Sequence, residues 1–386
     1  MKPNILGDLS IKDFLANYWQ KKPLVIRNAF PDFEMPFTAE ELAGLTLETD
    51  APARMIIEHG LPPENKPWQV KLAPFEDSDF TTLPDTHCTF LVNDLERYIP
   101  ELGNLIEPFR FIPDWRIDDL MVSYAEDQGT VGPHTDDYDV FLIQGEGKRR
   151  WKIITREDYP KELIPDLPIA LLKEFEADEE WLLEPGDMLY LPPNMPHYGI
   201  AEGACFTFSV GFQAPRTVDL IQNWLETFTK NNQFTKRFTD AEREPQENSG
   251  EISATDLNKL SSLILDSIEQ QKAELNLFLG KHLTESKGEA PPENHEIIAG
   301  YHEQYDYERE SWLRFAFIKN QTNNSLDFFA DGHHVNLPKE YLKDIQELCE
   351  NYYYSSESLK ELMKNNQFNH IFEKLIQQGG LYPANS

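Results

Sequence analysis

Three side chains with metal-binding chemistry stand at an informative spacing. His134 and Asp136 lie in the run Gly132-Pro133-His134-Thr135-Asp136, and His197 lies in Pro196-His197-Tyr198, 61 residues beyond Asp136. Residues i and i+2 of an extended segment share a face, so His134 and Asp136 can enter one cavity together. An imidazole from a distant strand would complete a two-histidine, one-carboxylate set. Those donors suit non-haem iron(II) and leave three adjacent coordination positions open, two for a chelating co-substrate and one for dioxygen. A bare His-x-Asp arises often by chance. Its setting gives it weight here: the pair follows a Gly-Pro turn and precedes a strand, and the later histidine follows Gly186-Asp187 and Pro192-Pro193. The competing reading makes His134 a turn residue and His197 a hydrogen-bonded core imidazole.

A co-substrate such as 2-oxoglutarate needs a cation for its far carboxylate. The strand Tyr138–Gln144 runs into a Gly145-Glu146-Gly147 turn and a basic return strand, Lys148-Arg149-Arg150-Trp151-Lys152. Alternation puts Lys148, Arg150 and Lys152 on one face and Arg149 and Trp151 on the other. An inward arginine pairs bidentately with a carboxylate, which makes it the natural anchor. Thr207 and Ser209 share a face of a later strand and could add hydroxyls there, or could equally form a cross-strand pair in the core. Gly145-x-Gly147 is no dinucleotide fingerprint, since the third glycine and the following helix are missing.

The elements that must position these residues read as β-rich. Short strand-like runs (119–124, 138–144, 150–154, 187–191 and 205–212) are punctuated by Gly, Pro and Asp. That texture favours a sandwich or barrel over a parallel α/β sheet. Leu24-Val25-Ile26 is expected to be a further short strand, within an N-terminal region that otherwise reads as helix and loop. After Pro215 the period becomes helical, with Val218, Ile221, Leu225 and Phe228, then Leu257, Leu260, Ile264 and Ile268. Polar connectors at 240–253 and 285–296 separate these helices from a last region. There 312–318 and 326–330 are predicted strands joined by Asp331-Gly332, and 338–352 and 357–375 are predicted helices. The domains are accordingly expected at 1–215, 216–284 and 285–386.

The 386 residues hold 67 acids against 35 bases, a formal charge of −32. Such a surface repels nucleic acid and suits a cationic partner, although a general solubility adaptation explains global charge as well. Between Asp114 and Asp139 eight acids face one base, Arg116, which reads as an acidic approach to the cavity. Asp127, Asp137 and Tyr138 are therefore the candidate substrate contacts. The segment 300–386 carries 13 acids and 8 bases, so direct DNA binding is not expected of it. His333-His334 reads as a hairpin end rather than a metal site. No apolar run approaches the ~20 residues of a membrane helix, and the first ten residues do not read as a secretion signal. Cys88, Cys205 and Cys349 lie far apart and read as reduced, consistent with a cytoplasmic location.

The run from Gly132 to Trp151 resembles the Jumonji-C ribosomal oxygenases, in particular the bacterial ribosomal protein arginine hydroxylases. Leu189-Tyr-Leu-Pro-Pro-Asn-Met-Pro-His197 and Phe208-Ser-Val-Gly-Phe-Gln-Ala-Pro-Arg216 match the second half of that pattern. The resemblance implies a double-stranded β-helix (cupin) catalytic core, a helical dimerisation domain forming a homodimer, and a winged-helix-like C-terminal domain. It implies Fe(II) held by His134, Asp136 and His197, and 2-oxoglutarate anchored by Arg149, fifteen residues after His134, with dioxygen as oxidant. It further implies hydroxylation at Cβ of an arginine in a basic large-subunit ribosomal protein, bacterial large-subunit protein sixteen. Histidine hydroxylation or methyl-lysine demethylation stands as an alternative chemistry. A non-catalytic metal-binding cupin stands as an alternative class, though it would need no co-substrate anchor.

Overall fold

The computed structural model describes residues 5–58, 68–230, 236–286, 298, 300–320 and 323–384. Residues 287–296 of the second expected connector lie outside them. Eleven strands fall between residues 24 and 212 among the described residues. The first five are β1 (Leu24–Ile26), β2 (Ala53–Ile57), β3 (Gln69–Leu72), β4 (Cys88–Val92) and β5 (Ile117–Ala125). Then come β6 (Val140–Gln144), β7 (Lys148–Ile153), β8 (Glu179–Leu183), β9 (Met188–Leu191), β10 (His197–Glu202) and β11 (Cys205–Phe212). They form an eight-stranded sheet of order β1-β9-β6-β11-β5-β4-β2-β3 and a three-stranded sheet of order β10-β7-β8. Every pairing in both is antiparallel.

The composition of the middle strands follows from this arrangement. β6 and β11 are buried at every position, as strands covered on both faces must be. Val140, Leu142, Leu189 and Leu191 of the large sheet pack against Trp151, Ile153 and Leu183 of the small one. The opposite face of β6 meets the N-terminal helix Ile11–Asn17, whose Ser10 hydroxyl caps it by accepting from Asp13 N at 3.1 Å. Phe14 of that helix is fully buried, its ring 5.7 Å from Phe141 and 5.0 Å from Tyr190. Burying such a ring contributes about 1.5–3 kcal/mol. The expected mainly β core is therefore present, with β2, β3, β4, β8 and β10 as strands outside the expected runs.

Beyond β11 run three helices, Thr217–Lys230, Ala254–Gln270 and Lys272–His282. Val218, Ile221 and Leu225 on the first and Leu257, Leu260, Ile264 and Ile268 on the second are exposed, whereas Phe228, the fourth member of the first predicted stripe, is buried, so that stripe faces solvent only in part in this single chain.

The last region has its own apolar core, in which Phe328 and Ile345 pack with Phe368 and Phe372. Its strands are β12 (Tyr307–Arg309), β13 (Phe315–Lys319), β14 (Ser325–Ala330), β15 (His333–Pro338), β16 (Tyr353–Tyr354) and β17 (Leu381–Pro383). His334 sits on the β14–β15 hairpin and bonds Asp327 at 2.7 Å. The helix expected over 357–375 is instead broken into Ser356–Leu359, a 3-10 turn at Leu362–Lys364, and Asn366–Gln377. Asn365 causes the restart, because its side-chain oxygen accepts from Gln367 N and Phe368 N as an N-cap. Arg110 ties the two regions together, donating to Asp114 Oδ2 and to Cys349 O, each at 2.6 Å. No helix among the described residues is long and apolar enough to cross a membrane.

Candidate active site

Two backbone hydrogen bonds join the histidines. His134 N donates to His197 O at 3.0 Å and His197 N donates to His134 O at 2.9 Å, an isolated bridge at the start of β10. Gly132 sets up the approach with φ +85°, a conformation L side chains resist. Its carbonyl lies 2.9 Å from His134 Nδ1, and the Met195 carbonyl lies 2.9 Å from His197 Nδ1. A carbonyl can only accept, so each Nδ1 carries a proton, which leaves Nε2 as the ring nitrogen that faces a metal. Both Nε2 atoms converge on one carboxylate: His134 Nε2 is 3.8 Å from Asp136 Oδ1, and His197 Nε2 is 3.6 Å from Asp136 Oδ2. Burial, helped by the neighbouring His134 ring, pushes the His197 imidazole down to about 4, so it is neutral near pH 7.

Donor atoms of these three residues lie within 4.8 Å of one another and can hold a metal ion. The expected i, i+2 geometry is achieved without a regular strand, since His134 is a single bridge residue and the ladder resumes only at Val140. Two imidazoles and a carboxylate, with no fourth protein donor grouped with them among the described residues, match an iron(II) site with open positions.

The same cavity is lined by Arg149, Trp151, Thr207 and Ser209. Arg149 is only 3% exposed, and its charge meets no carboxylate within ion-pair distance among the described residues. Nη1 reaches Ser123 Oγ at 3.4 Å and Nη2 reaches Cys205 Sγ at 3.5 Å, while buried Nε has no hydrogen-bond partner. A buried cation so weakly partnered is costly unless an anion joins it. Arg150, one residue on, points outward to Glu180 at 2.7 Å and to Glu202 at 2.5 Å. Thr207 Oγ1 donates to Gln144 Oε1 at 3.3 Å, so one of the two hydroxyls already has a protein partner.

The acidic approach is different from what the charge count suggests. Asp127 does not line the cavity. Its Oδ1 accepts from Gly203 N at 2.7 Å, beyond the end of β10. β10 begins at His197 and rises ~3.3 Å per residue, which carries Asp127 away from the histidines rather than towards them. Asp137 is exposed and also lies outside the cavity lining. Asp114 is taken by Arg110, Glu126 accepts from Tyr124 OH at 2.6 Å, and fully buried Asp139 accepts from Tyr190 OH at 2.6 Å and Gln20 Nε2 at 2.9 Å. Tyr138 does line the cavity. The acid that joins it there is Asp119, which sequence reasoning did not single out. Burial, then Asp118 and Asp94, push its carboxyl up to about 6. Asn93 Nδ2 donates to its Oδ2 at 3.1 Å. Alternation offered the signal: Asp119, Met121 and Ser123 lie two apart on β5 and all line the cavity.

A JmjC-domain model matches residues 104–220, and an AraC-like ligand-binding-domain model matches residues 175–284. The chain is 32% identical over 380 residues to the ribosomal protein uL16 3-hydroxylase of Escherichia coli, covering 96% of this chain and 97% of that protein. A probable ribosomal oxygenase of Haemophilus influenzae is 36% identical over 276 residues, covering 69% and 66% of the two chains. Among solved structures, E. coli ycfD aligns with a TM-score of 0.81 at 29% identity over 98% of this chain and 99% of its own. The E. coli ribosomal oxygenase YcfD in complex with cobalt and 2-oxoglutarate aligns with a TM-score of 0.79 at 29% identity, with the same coverage.

Proposed function

The chain belongs to the JmjC ribosomal oxygenases, and we propose that it is an iron(II)- and 2-oxoglutarate-dependent hydroxylase of the ribosomal protein uL16, acting at Cβ of an arginine. The observation that carries this reading is Arg149, a buried guanidinium short of partners in the cavity that holds the His134, Asp136 and His197 donors. A metal-binding cupin without catalysis would have no use for that cation.

His134, Asp136 and His197 would hold iron(II), and Arg149 would pair with the far carboxylate of 2-oxoglutarate, with Ser209 and Thr207 beside it. Bound iron, 2-oxoglutarate and dioxygen together supply the oxidising power that turns a C–H bond into C–OH, with succinate and carbon dioxide as the other products. The protein's own work is geometric. The Nδ1–H bonds to Gly132 and Met195 fix the imidazoles, and buried walls such as Leu142 and Trp151 exclude water. Asp119 and Tyr138 are placed to receive the substrate: a carboxylate accepts from a guanidinium in a charge-assisted pair, and a phenol ring packs on its plane. The 3-position in the relative's name is Cβ, the carbon such a grip on the far end of an arginine would present.

Residues 1–215 form the catalytic domain in this reading, 216–284 a helical dimerisation domain, and 285–386 a winged-helix-like domain that makes protein rather than DNA contacts. The exposed apolar stripes on Thr217–Lys230 and Ala254–Gln270 support a homodimer built from these helices. A ribosomal substrate supports a cytoplasmic location. Intact mass spectrometry of purified uL16 incubated with the protein, ferrous iron, 2-oxoglutarate and air tests the activity. A gain of ~16 Da that maps to an arginine, and that His134→Ala removes, is the expected result, because each oxygenation leaves one oxygen on the substrate. Unmodified uL16 alongside a functional metal and co-substrate site would refute the substrate assignment.

A further inference from the structure

β5 and β11 lose register where Asp119 enters the cavity. Val210 pairs with Leu120 but Phe212 pairs with Ile117, so Asp118 and Asp119 together oppose Gly211. A β-bulge of this kind re-aims side chains and increases local twist. Ile117 and Leu120 both face the apolar core although three residues apart, so the extra residue is taken up between them, at Asp118 and Asp119, and Asp119 keeps the cavity face it shares with Met121 and Ser123. Gly211 is also the residue that leaves room, since a Cβ there would stand 3.0 Å from Asp119 Oδ1.

The bulge is gripped from outside the barrel. Arg314, on the C-terminal region and 6% exposed, directs its guanidinium at the bulged backbone: Nε donates to Ile117 O at 3.4 Å and Nη2 donates to Asp118 O at 3.5 Å. Nη1 donates to Ser311 O, which holds the fork in place. Ser311 Oγ donates to Glu96 O at 3.2 Å, and Glu96 Oε2 in turn accepts from Leu120 N at 2.9 Å. The backbone on either side of Asp119 is thus held by a chain of bonds that starts at residues 311 and 314. The metal ligands and Arg149 take no part in that chain.

We propose that Arg314 is a positioning residue for the substrate: from the C-terminal region it holds the bulged backbone from which Asp119 enters the cavity, and so sets affinity for the substrate guanidinium without touching the metal or co-substrate groups. This rests on the reading that Asp119 meets that guanidinium. A planar fork with separate N–H groups can satisfy two adjacent carbonyls and Ser311 O together, which a lysine ammonium on a flexible stem does less well.

The test is a double-mutant cycle in the full-length protein, with KM for uL16, KM for 2-oxoglutarate and kcat measured for Arg314→Met, Arg314→Lys, Asp119→Asn and the combination of Arg314→Met with Asp119→Asn. Asp119→Asn should raise KM for uL16 ~tenfold or more, because a charge-assisted pair is lost. Arg314→Met should raise it ~threefold to tenfold and leave KM for 2-oxoglutarate unchanged, with Arg314→Lys in between. Added to Asp119→Asn, Arg314→Met should raise KM for uL16 no further, because residues that act through one another are not additive. A purely structural Arg314 would instead damage all three constants in both backgrounds, and that result overturns the proposal. If Arg314→Met does not fold, Arg314→Lys carries the same cycle. An affected Asp119→Asn beside an unaffected Arg314 variant overturns the positioning role alone. An unaffected Asp119→Asn removes the guanidinium reading, and the proposal with it.

Discussion

Arg149 and Arg150 are neighbours on β7 with the same side-chain chemistry, and the pleat sends one into the barrel and the other out. Outside, Arg150 is held between Glu180 and Glu202, and Lys148 and Lys152 likewise reach Glu184 and Glu180. Inside, Arg149 has a hydroxyl and a thiol at long range and a buried Nε with no hydrogen-bond partner. The contrast extends to the acids. Asp114, Glu126, Asp127 and Asp139 are committed to structural bonds, whereas Asp119 and Asp136 face the cavity. These four acids are spent on the fold, whereas the charge in the cavity is scarce and faces the space a ligand would fill.

The largest effect should come from the interior donors. His134→Ala, Asp136→Ala or His197→Ala should each abolish uL16 hydroxylation while circular dichroism stays native, because the strands' packing does not need the metal. Retained iron-dependent turnover in any one of them would remove it from the ligand set. Next, Arg149→Ala should raise KM for 2-oxoglutarate by the equivalent of ~2–5 kcal/mol, the cost of leaving a buried carboxylate without its cation. Arg150→Ala should shift it by less than ~1 kcal/mol, the worth of exposed pairs. Kinetics that swapped the two would place the register one residue off.

Glu96 tests the interior in another way. It is 1% exposed, and burial, then Asp119, pushes its carboxyl up to about 8 from 4.5. The unfolded chain therefore releases this proton near pH 4.5 and the folded chain only near pH 8. Stability falls across that window as pH rises, by an amount of order 3–5 kcal/mol. Glu96→Gln keeps an oxygen for Leu120 N, so it should raise the melting temperature at pH 8.5 and change it little near pH 4.5. Calorimetry at the two pH values decides this, and equal effects at both would mean the carboxyl is ionised in the folded protein. The smallest effect should be on the exterior. Asp127→Asn and Asp137→Asn should leave KM for uL16 within about twofold, and any change should vanish as salt screens exposed charge. A loss that persists at high salt would return one of them to the substrate contacts.

The grouping of His134, Asp136 and His197 and the inward aim of Arg149 were legible in the sequence because they are tied to a short motif and to a period of two that the pleat enforces. Asp119 was not, because it is one of eight acids in its stretch, and alternation with Met121 and Ser123 singles it out only once the inward face of β5 is known. Asp127 misled for a related reason: seven residues separate it from His134 along the chain, but it sits against the far end of β10 at Gly203. The strands β2, β3, β4, β8 and β10 escaped because their runs are only four to six residues long. The helix break at Asn365 turns on one side chain choosing to cap. Hydrophobic pattern carries sheet and helix stripes well, and carries register shifts and caps poorly.

The paired backbone bonds between His134 and His197 have a bearing on which ion the protein carries. They tie the two main chains together, and the Nδ1–H bonds to Gly132 and Met195 fix the ring orientations. A jaw fixed in that way would discriminate little between ions by radius. Nitrogen-rich donor sets then follow the general order of first-row stabilities, in which cobalt, nickel and copper outrank ferrous iron. Cellular supply rather than the site would decide the occupant, and a misloaded molecule would be correctly folded, competent to bind both partners, and silent.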